Sequence, residues 1–320
     1  MTRMGHLLAW ARLLRLPNHF TAIADVLAGY LVVAGLTSLH ARPAMLLAAA
    51  AGWAFYAAGM VLNDVFDVAL DSVERPERPL PSGQINVKTA ALVGQGLLAL
   101  AGLCACAAAF ASGYPAPALV GAGLTAAIWT YDRHAKGTPF GPAVMGLCRG
   151  LNWLLGMAAA GGPLLPPHWL IPVGIAVYVA GITLYARDEA TTSRRAALAR
   201  ATAVMALGLL LAGSGAFFGV RASTGAIPWA GTIQPRMAVD RLTAWAVLWS
   251  MVSASILLRA ATGVLNPVPQ AVRAAVGNAI MSLITLDAIL VLSVCGEPWA
   301  VVILTLLAPF HLLRRFIPPT

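Results

Sequence analysis

The sequence contains very little charge. Only 12 of its 320 residues are acidic and 10% are charged, whereas soluble domains carry roughly 25% charged residues. Hydrophobic residues make up 59% of the chain, and the mean hydropathy is +0.79. Many windows of about 17 or more residues contain no charge, which is the length needed to cross roughly 30 Å of hydrocarbon. The composition therefore excludes a soluble core of this size and predicts a polytopic helical membrane protein.

Several motifs of soluble enzymes are also missing. The chain has no GxGxxG, GxxxxGK[ST] or HExxH motif, and its 4 cysteines contain no CxxC pair. This argues against a phosphate loop, a zinc site or a disulfide framework. The 30 glycines fall mainly in apolar runs, where they typically allow helices to pack closely. The net charge of +9 lacks the basic and aromatic clusters of a nucleic-acid surface, so we expect no nucleic-acid partner.

Long apolar segments predict nine transmembrane helices in one membrane domain comprising residues 1–320. A shorter apolar run at 298–312 is either a tenth span or a re-entrant or interfacial helix. We therefore expect an all-α membrane bundle. The nine segments lie at about 19–38, 44–66, 89–111, 116–131, 141–160, 168–186, 197–220, 241–258 and 274–294.

Lysine and arginine are distributed unevenly about these segments. If the 298–312 run crosses, 16 of the 21 lie at the N-terminus, in the even-numbered loops and after that run, and 4 lie in the other loops. Such a bias marks the cytoplasmic side of a membrane. We expect the N-terminus and the even-numbered loops to be cytoplasmic.

The scarce acids concentrate after the second apolar segment, where 5 of the 12 fall within residues 64–77. If the helix continues through residue 71, Asn63, Asp67 and Asp71 are spaced i, i+4 and i+8, and Asp64 lies on the same face. Carboxylates so placed repel one another, which indicates a cation between them. Mg²⁺ typically binds one or two carboxylates together with substrate phosphate. The alternative is a solvated helix end.

A second polar cluster, LYARDEATTSRR (184–195), follows the sixth segment on the same predicted side. Asp188 and Glu189 precede Arg194 and Arg195 there. After the first cluster, the proline-rich segment RPERPLPSGQ (75–84) enters the third helix and would hold a guanidinium for bidentate binding to phosphate. Two acidic helix ends followed by arginines predict a site for one diphosphate between them.

These motifs resemble the UbiA superfamily of intramembrane prenyltransferases. The pattern Asn63-Asp64-x-x-Asp67-x-x-x-Asp71 is similar to the first aspartate motif of that family, and RPLPSG (78–83) is similar to its usual continuation. The finer resemblance is to the EboC-like branch, on the segments LRLPNHFTAIAD (14–25), CRGLN (148–152) and YARDEA (185–190).

The resemblance implies a helical bundle around a central cavity open to the lipid of a bacterial-type inner (plasma) membrane. An isoprenyl diphosphate would bind there through Mg²⁺, and a lipophilic acceptor, often an aromatic ring, would capture its prenyl group. The implied metal ligands are Asn63, Asp64, Asp67, Asp71 and Asp188. The candidate catalytic residues are Asp64, Asp67, Asp188 and Lys136. The candidate substrate-binding residues are Asn18, Arg78, Tyr131, Arg149, Asn152, Tyr185 and Arg194.

The second motif departs from the family pattern. Thr192 stands four positions after Asp188, where the family usually has a second aspartate. The site would then hold one metal ion with help from neighbouring arginines. Alternatively, the fold binds or translocates a lipophilic metabolite without prenyl transfer. Protein partners are not indicated by the sequence.

Three charged residues lie well inside apolar segments, away from their ends. A charge at mid-membrane costs roughly 2.5–3.5 kcal/mol on insertion scales, so each should meet a partner or a wet cavity. Arg149 is expected either to contact a ligand or to form a structural ion pair. Asp25 is expected to pair with Arg149, with a role toward the acceptor as the alternative, and Asp287 is expected to have a buried partner.

Overall fold

The computed structural model describes residues 3–35, 42–161, 164–187, 192–223 and 235–317. All regular elements of these ranges are helical, which confirms the all-α prediction. The helices are α1 (Arg3–Leu13), α2 (His19–Ala34), α3 (Arg42–Phe66), α4 (Val68–Glu74), α5 (Val87–Ser112), α6 (Ala116–Thr130), α7 (Gly141–Ala160), α8 (Pro166–Tyr185), α9 (Arg195–Ser223), α10 (Pro235–Leu265), α11 (Pro269–Cys295), α12 (Glu297–Leu304) and α13 (Leu307–Phe316).

The ends of the helices follow from local sequence. The Asn86 side chain accepts hydrogen bonds from the backbone N–H of Lys88 at 2.8 Å and of Thr89 at 3.4 Å, so it caps the start of α5. Gly113 ends this helix in the left-handed conformation (φ 76°), which glycine adopts without steric cost. α7, α8 and α11 begin with a proline in their first turn, where its missing N–H is not needed.

Nine helical segments within the described ranges are long and apolar enough to cross a membrane. The set differs from the predicted one at two places. α6 has only 15 residues and is not among the nine. It nevertheless leads into a turn that contacts the acidic end of α3. The segment Glu297–Phe316, which contains the ambiguous 298–312 run, is among them.

The position of α13 bears on the two interpretations of that run. α12 packs along α11, and α13 packs on the 3₁₀ turn Leu16–Asn18 and on α2. Its Arg314 side chain lies beside Gly277, in the first third of α11. The last segment therefore runs back along most of the length of α11, which favours a further span over a re-entrant turn.

Close packing of α7 against its neighbours forms the interior. A methyl group at Gly156 would collide with the Val26 carbonyl of α2, and one at Gly146 would collide with the Ala176 carbonyl of α8. Glycine at these positions therefore lets α2 and α8 lie directly against α7, as small residues do in membrane bundles. This packing places the polar residues of α2 and α7 side by side.

Candidate functional site

The acidic segment after α3 is a broken helix rather than a continuous one. α3 ends at Phe66. Asp67 occupies the N-cap position of the short helix α4 and has turn-like dihedral angles (φ −87°, ψ −1°). The backbone nevertheless keeps helical hydrogen bonds through the break, from Asp67 N to Asn63 O at 3.0 Å and from Asp71 N to Asp67 O at 2.8 Å. The expectation of a continuous helix through residue 71 was wrong, but the four-residue spacing survives.

Two cations group the acidic motif into two pairs. Arg78 Nη1 lies 2.7 Å from Asp71 Oδ2 and 3.8 Å from Asp64 Oδ1. Lys136 Nζ donates to Asn63 Oδ1 at 2.9 Å and forms an ion pair with Asp67. One cation therefore lies between each pair of motif residues. The sequence predicted Mg²⁺ between these carboxylates, whereas in this structure protein side chains compensate their charge.

The turn Tyr131–Ala135 between α6 and α7 closes one side of the site. Asp132 accepts a hydrogen bond from Asn63 Nδ2 at 3.1 Å. Burial raises the pKa of the Asp132 carboxyl to about 7, although the Asn63 hydrogen bond opposes the shift. Asp132 was not among the predicted site residues, even though the segment YDRHAK supplied Tyr131 and Lys136. Its position directly after Tyr131 was the available signal.

Arg15 is a second site residue that the sequence analysis missed. It has φ 50° and ψ 47° and is the only non-glycine residue with positive φ in the described ranges. A bulky residue in this conformation is uncommon and costs free energy. Its Nη2 lies 3.2 Å from Asp64 Oδ1, so the chain places a third cation at the motif. Arg15 was counted among the residues that orient the chain and lies in the segment 14–25, but no site role was predicted for it.

An apolar cavity of about 310 Å³ opens beside this motif. At its mouth lie Arg15, Asn18, Asn63, Tyr131 and Asp132. Its walls are mainly aliphatic and aromatic side chains from several helices. Examples are Phe55 and Tyr56 of α3, Leu124 and Ile128 of α6, and Ile280 and Leu283 of α11. We call this space the central cavity and its motif end the mouth.

A second polar cluster lies deeper in the bundle. Arg149 Nε of α7 is 2.5 Å from Asp25 Oδ2 of α2, which confirms the predicted pair. Asn152 Nδ2 donates to the same Asp25 oxygen at 3.0 Å. Trp153 Nε1 donates to Asp287 Oδ1 at 3.1 Å. Asp25 and Asp287 are fully buried, so this interior cluster is sealed from water except at Arg149 and Asn152, which line the central cavity.

The second acidic loop reaches the same end of the bundle. Arg187 Nη2 donates to the Gly137 carbonyl at 3.2 Å, in the loop that carries Lys136. The predicted metal ligand Asp188, with Glu189, lies outside the described residues. Thr192 and Arg194 are described and exposed, and neither lines the central cavity.

Tyr185 does not reach the central cavity. Its hydroxyl donates to the Ala260 carbonyl of α10 at 2.7 Å, and the side chain is buried between α8 and α10. The prediction that Tyr185 binds substrate was therefore wrong: the residue holds two helices together. Its neighbours Ile182, Thr183 and Ala186 line the cavity instead.

The donor set at the mouth suits a hard cation. Within the described ranges, no group of three His, Cys, Asp or Glu side chains converges as a ready metal site. The carboxylates of Asp64, Asp67 and Asp71 nevertheless share cationic partners with one another and with the Asn63 side-chain oxygen, and Asn63 lines the cavity mouth. Mg²⁺ characteristically uses only one or two carboxylates and completes its shell with substrate phosphate and water. The residues therefore fit Mg²⁺ bound together with a diphosphate.

Curated proteins of known name resemble part of the chain. Over 100 residues it is 35% identical to the digeranylgeranylglyceryl phosphate synthase of Ignicoccus hospitalis, a stretch that covers 31% of each protein. Over 150 residues it is 31% identical to the protein of the same name from Halobacterium salinarum, covering 46% of this chain and 50% of the relative. The match thus spans between a third and a half of these relatives. Their shared name does not support the EboC-like assignment.

Solved structures resemble the chain over nearly its whole length. A UbiA homologue from Aeropyrum pernix K1 superimposes with a TM-score of 0.60 at 20% identity, covering 84% of this chain and 97% of the other. A UbiA homologue from Archaeoglobus fulgidus bound to GPP and Mg²⁺ gives a TM-score of 0.55 at 14% identity, covering 93% and 99%. At such identities the likeness shows a shared fold.

The family model described as the UbiA prenyltransferase family matches residues 22–266. This match extends from α2 into the loop after α10 and includes the acidic motif, the turn after α6 and both polar residues of α7. It agrees with the helical architecture and with the motif spacing. The chain belongs to the UbiA prenyltransferase family.

Proposed function

We propose that the protein transfers a prenyl group from an isoprenyl diphosphate to a lipophilic acceptor within the membrane, with Mg²⁺ as the metal. One observation carries the proposal: three motif carboxylates and three cations form one network that reaches the mouth of an apolar cavity through Arg15 and Asn63. A diphosphate needs cations and a metal, whereas a prenyl tail needs an apolar space. The mouth and the cavity offer these two environments side by side.

In this proposal, Asp64, Asp67 and Asp71 hold Mg²⁺ with help from the Asn63 carbonyl oxygen. When bound, Mg²⁺ neutralises charge that develops on the leaving diphosphate. Arg78 and Lys136 already lie at these carboxylates, so a bound diphosphate would find both donors in place. Cationic donors held this close to a leaving group stabilise the negative charge that develops on it.

The cavity wall acts on the other half of the substrate. Loss of diphosphate leaves an allylic cation, which water would capture if it were present. The aliphatic lining from α3, α6 and α11 excludes water from the prenyl chain. Asn18 and Tyr131 lie at the boundary between the two environments, which is where the first carbons of the prenyl group would lie.

Two classes of acceptor are compatible with the proposal. The resemblance to the family favours an aromatic ring. The curated relatives are named for a glyceryl phosphate that carries two geranylgeranyl groups, which favours an acceptor that already carries one. We also propose that residues 1–320 act as one domain, and that the mouth faces the cytoplasm of a bacterial-type inner membrane, because 16 of the 21 basic residues are on that side in the predicted topology.

The rival proposal is a site that binds a prenyl diphosphate without turnover. Thr192 supports it, because the second motif lacks the second aspartate that would complete a second metal site. In that case Asp188 would assist the first metal site only, or would have no metal role.

Pyrophosphate release by the purified protein in lipid nanodiscs separates the two proposals. Geranyl to longer prenyl diphosphates are offered with aromatic acceptors and with a monogeranylgeranyl glyceryl phosphate, in the presence and absence of Mg²⁺. Release that requires Mg²⁺ and an acceptor would establish the transferase. Mg²⁺-dependent binding of a prenyl diphosphate without release would establish the rival. The absence of both would contradict a prenyl diphosphate site altogether.

A further inference from the structure

Arg149 and Asn152 lie one helical turn apart on α7 and both line the central cavity. They are its only charged or amide side chains away from the mouth among the described lining residues. At the level of Asn152 the facing residue of α3 is Gly52, which precedes Asn63 by 11 positions, or about 16 Å of helix. The pair therefore lies well below the mouth, with space for a diphosphate and the first prenyl carbons between them.

The orientation of the Asn152 amide is fixed by its partners. Nδ2 donates to the Ala22 carbonyl at 2.9 Å and to Asp25 Oδ2 at 3.0 Å. A flipped amide would set its oxygen against two acceptors, so the network itself assigns the nitrogen to this side. Oδ1 then points toward Gly52, where an added Cβ would lie 2.7 Å from it. Glycine leaves this hydrogen-bond acceptor uncovered.

Arg149 supplies unused donors beside that acceptor. Its Nε faces Asp25, and its Nη2 is buried without a hydrogen-bond partner among the described residues. Only 9% of the residue is exposed, and Arg149 is among the residues that line the cavity. Buried donors without partners are rare and destabilising, which indicates that a group outside the protein completes the arrangement.

The charge of the interior cluster restricts what that group can be. Asp25 and Asp287 are both fully buried, and within this cluster the one cation is the guanidinium of Arg149. The cluster therefore has no positive charge in excess of its two carboxyl groups. An added anion would leave the cluster negatively charged in a low-dielectric interior, which is costly. A neutral oxygen would satisfy the free donors without this cost.

We propose that Arg149 and Asn152 form the acceptor subsite and that they bind a neutral hydroxyl group of the acceptor, alcoholic or phenolic. The hydroxyl oxygen accepts from the Arg149 guanidinium, and the hydroxyl hydrogen is donated to Asn152 Oδ1. Any phosphate or carboxylate of the same acceptor would lie toward Arg15, Arg78 and Lys136 at the mouth. This inference rests on the proposed function, because it assigns the second substrate of that reaction.

Matched probe pairs test the subsite in the wild-type protein. Binding is measured in nanodiscs with Mg²⁺ and an unreactive, sulfur-bridged analogue of geranylgeranyl diphosphate. The first pair is monogeranylgeranyl glyceryl phosphate and its O-methyl ether, which represents an alcohol. The second is 4-dodecylphenol and its methyl ether, which represents a phenol, and 4-dodecylbenzoate is added as an anionic competitor.

For at least one pair we expect the hydroxyl probe to bind 10-fold or more tightly than its ether, because the ether has no hydrogen to donate to Asn152 Oδ1 and leaves that acceptor unsatisfied. The pair that discriminates identifies the acceptor class. We expect the benzoate to bind more weakly than the phenol. Equal binding of hydroxyl and ether in both pairs, or no binding of any probe, would overturn the subsite.

Two variants then locate the effect. Asn152→Leu removes the acceptor and should reduce the hydroxyl preference to less than 3-fold. Arg149→Lys keeps the charge beside Asp25 and should reduce it partially. Thr183→Val is the matched control, because Thr183 also lines the cavity but its hydroxyl already donates to Val179 O at 2.9 Å. A preference that persists in Asn152→Leu, with normal binding of the diphosphate analogue, contradicts the assignment.

Pyrophosphate release from the same preparations keeps the two proposals apart. A hydroxyl preference without release would refute prenyl transfer and leave the subsite standing. Release without a hydroxyl preference would support transfer and refute the subsite.

Discussion

The mouth and the interior cluster contain the same kinds of charged groups in different surroundings. At the mouth, each of the three motif aspartates contacts a cation, and the Arg15 and Lys136 side chains remain 29% and 33% exposed. In the interior cluster, two carboxyl groups share one guanidinium, and the Asp25 side chain is 0% exposed. The motif carboxylates at the mouth are therefore individually paired and partly wet, whereas the interior has more carboxyl groups than cations and is dry.

This difference separates a site that can exchange partners from one that cannot. Arg78 and Lys136 each contact motif residues that also suit Mg²⁺, so both cations can turn to a diphosphate when the metal binds. Asp25 has no such freedom, because Arg149 and Asn152 both bind its Oδ2. Ion pairs at the mouth are therefore replaceable, and the pair in the interior is a fixed part of the cavity wall.

The largest expected effect is on stability and follows from breaking the interior pair. Arg149→Leu leaves Asp25 buried without its cation, which typically costs about 3–5 kcal/mol. The double variant Asp25→Leu/Arg149→Leu removes both charges and should recover much of the lost thermal stability. Thermal unfolding in detergent measures the relative stabilities of the wild-type protein and the two variants. At the mouth, Arg15→Leu should cost less than about 1 kcal/mol, because its pair is partly exposed.

If the double variant unfolded as early as the single one, the uncompensated charge would not be the cause. That result would contradict the conclusion that the interior ion pair is a fixed part of the structure.

The second prediction concerns chemistry at the mouth. Asp67→Asn keeps the size of the side chain but removes a metal-binding charge and the partner of Lys136. We expect Mg²⁺-dependent pyrophosphate release to fall by about 100- to 1000-fold, the range typical of removing one preorganised electrostatic group. Thermal stability should change little. Glu77→Gln, on the exposed loop after α4, is the matched control and should retain activity.

A loss of activity in Asp67→Asn that came with early unfolding would contradict the replaceable character of the mouth pairs. Equal losses in Glu77→Gln would indicate a general electrostatic effect of the loop instead.

The sequence predicted which residues form the mouth better than it predicted how they are arranged. Acidic residues are so scarce that their concentration at residues 64–77 identified the motif, and the resemblance assigned Arg78, Tyr131 and Lys136 to its surroundings. The continuous helix through residue 71 was wrong, because spacing alone cannot show a turn at Asp67 when the four-residue hydrogen bonds persist on both sides. Arg15 was missed because a left-handed backbone conformation is usually indicated by a glycine, and here the residue is an arginine.

In the interior, the physical cost of a membrane charge predicted the Asp25–Arg149 pair across 124 positions. The same argument gave Asp287 a buried partner but could not name it. Its partners depend on how α11 packs against α2 and α7, which a single sequence does not specify. The prediction for Tyr185 failed for a related reason. Its helix lines the cavity, but its own side chain faces α10.

The third prediction tests whether Arg78 serves both as a partner of carboxylates and as a ligand of diphosphate. In the structure one guanidinium nitrogen of Arg78, Nη1, lies near both Asp71 and Asp64. Arg78→Lys keeps the charge but loses the planar fork that could bind a phosphate bidentately. We expect the Kd of a prenyl diphosphate to rise by about 10-fold, corresponding to about 1.4 kcal/mol, with Mg²⁺ present. Arg75→Lys, three positions earlier in the same loop, should stay within 2-fold. An unchanged Kd in Arg78→Lys would restrict this arginine to a structural role.

The smallest expected effect sharpens the comparison at Arg15, the most strained member of the mouth. Arg15→Lys keeps a cation near Asp64 and the same backbone requirement, but a lysine makes one directed contact where arginine can make two. We expect the Kd of a prenyl diphosphate to rise by about 2- to 4-fold, because partly exposed ion pairs contribute about 1 kcal/mol or less. Arg12→Lys, at the end of α1, is the matched control. An increase as large as that of Arg78→Lys would show that the left-handed backbone at residue 15 holds a principal diphosphate ligand, and that exposure is a poor guide to importance at this mouth.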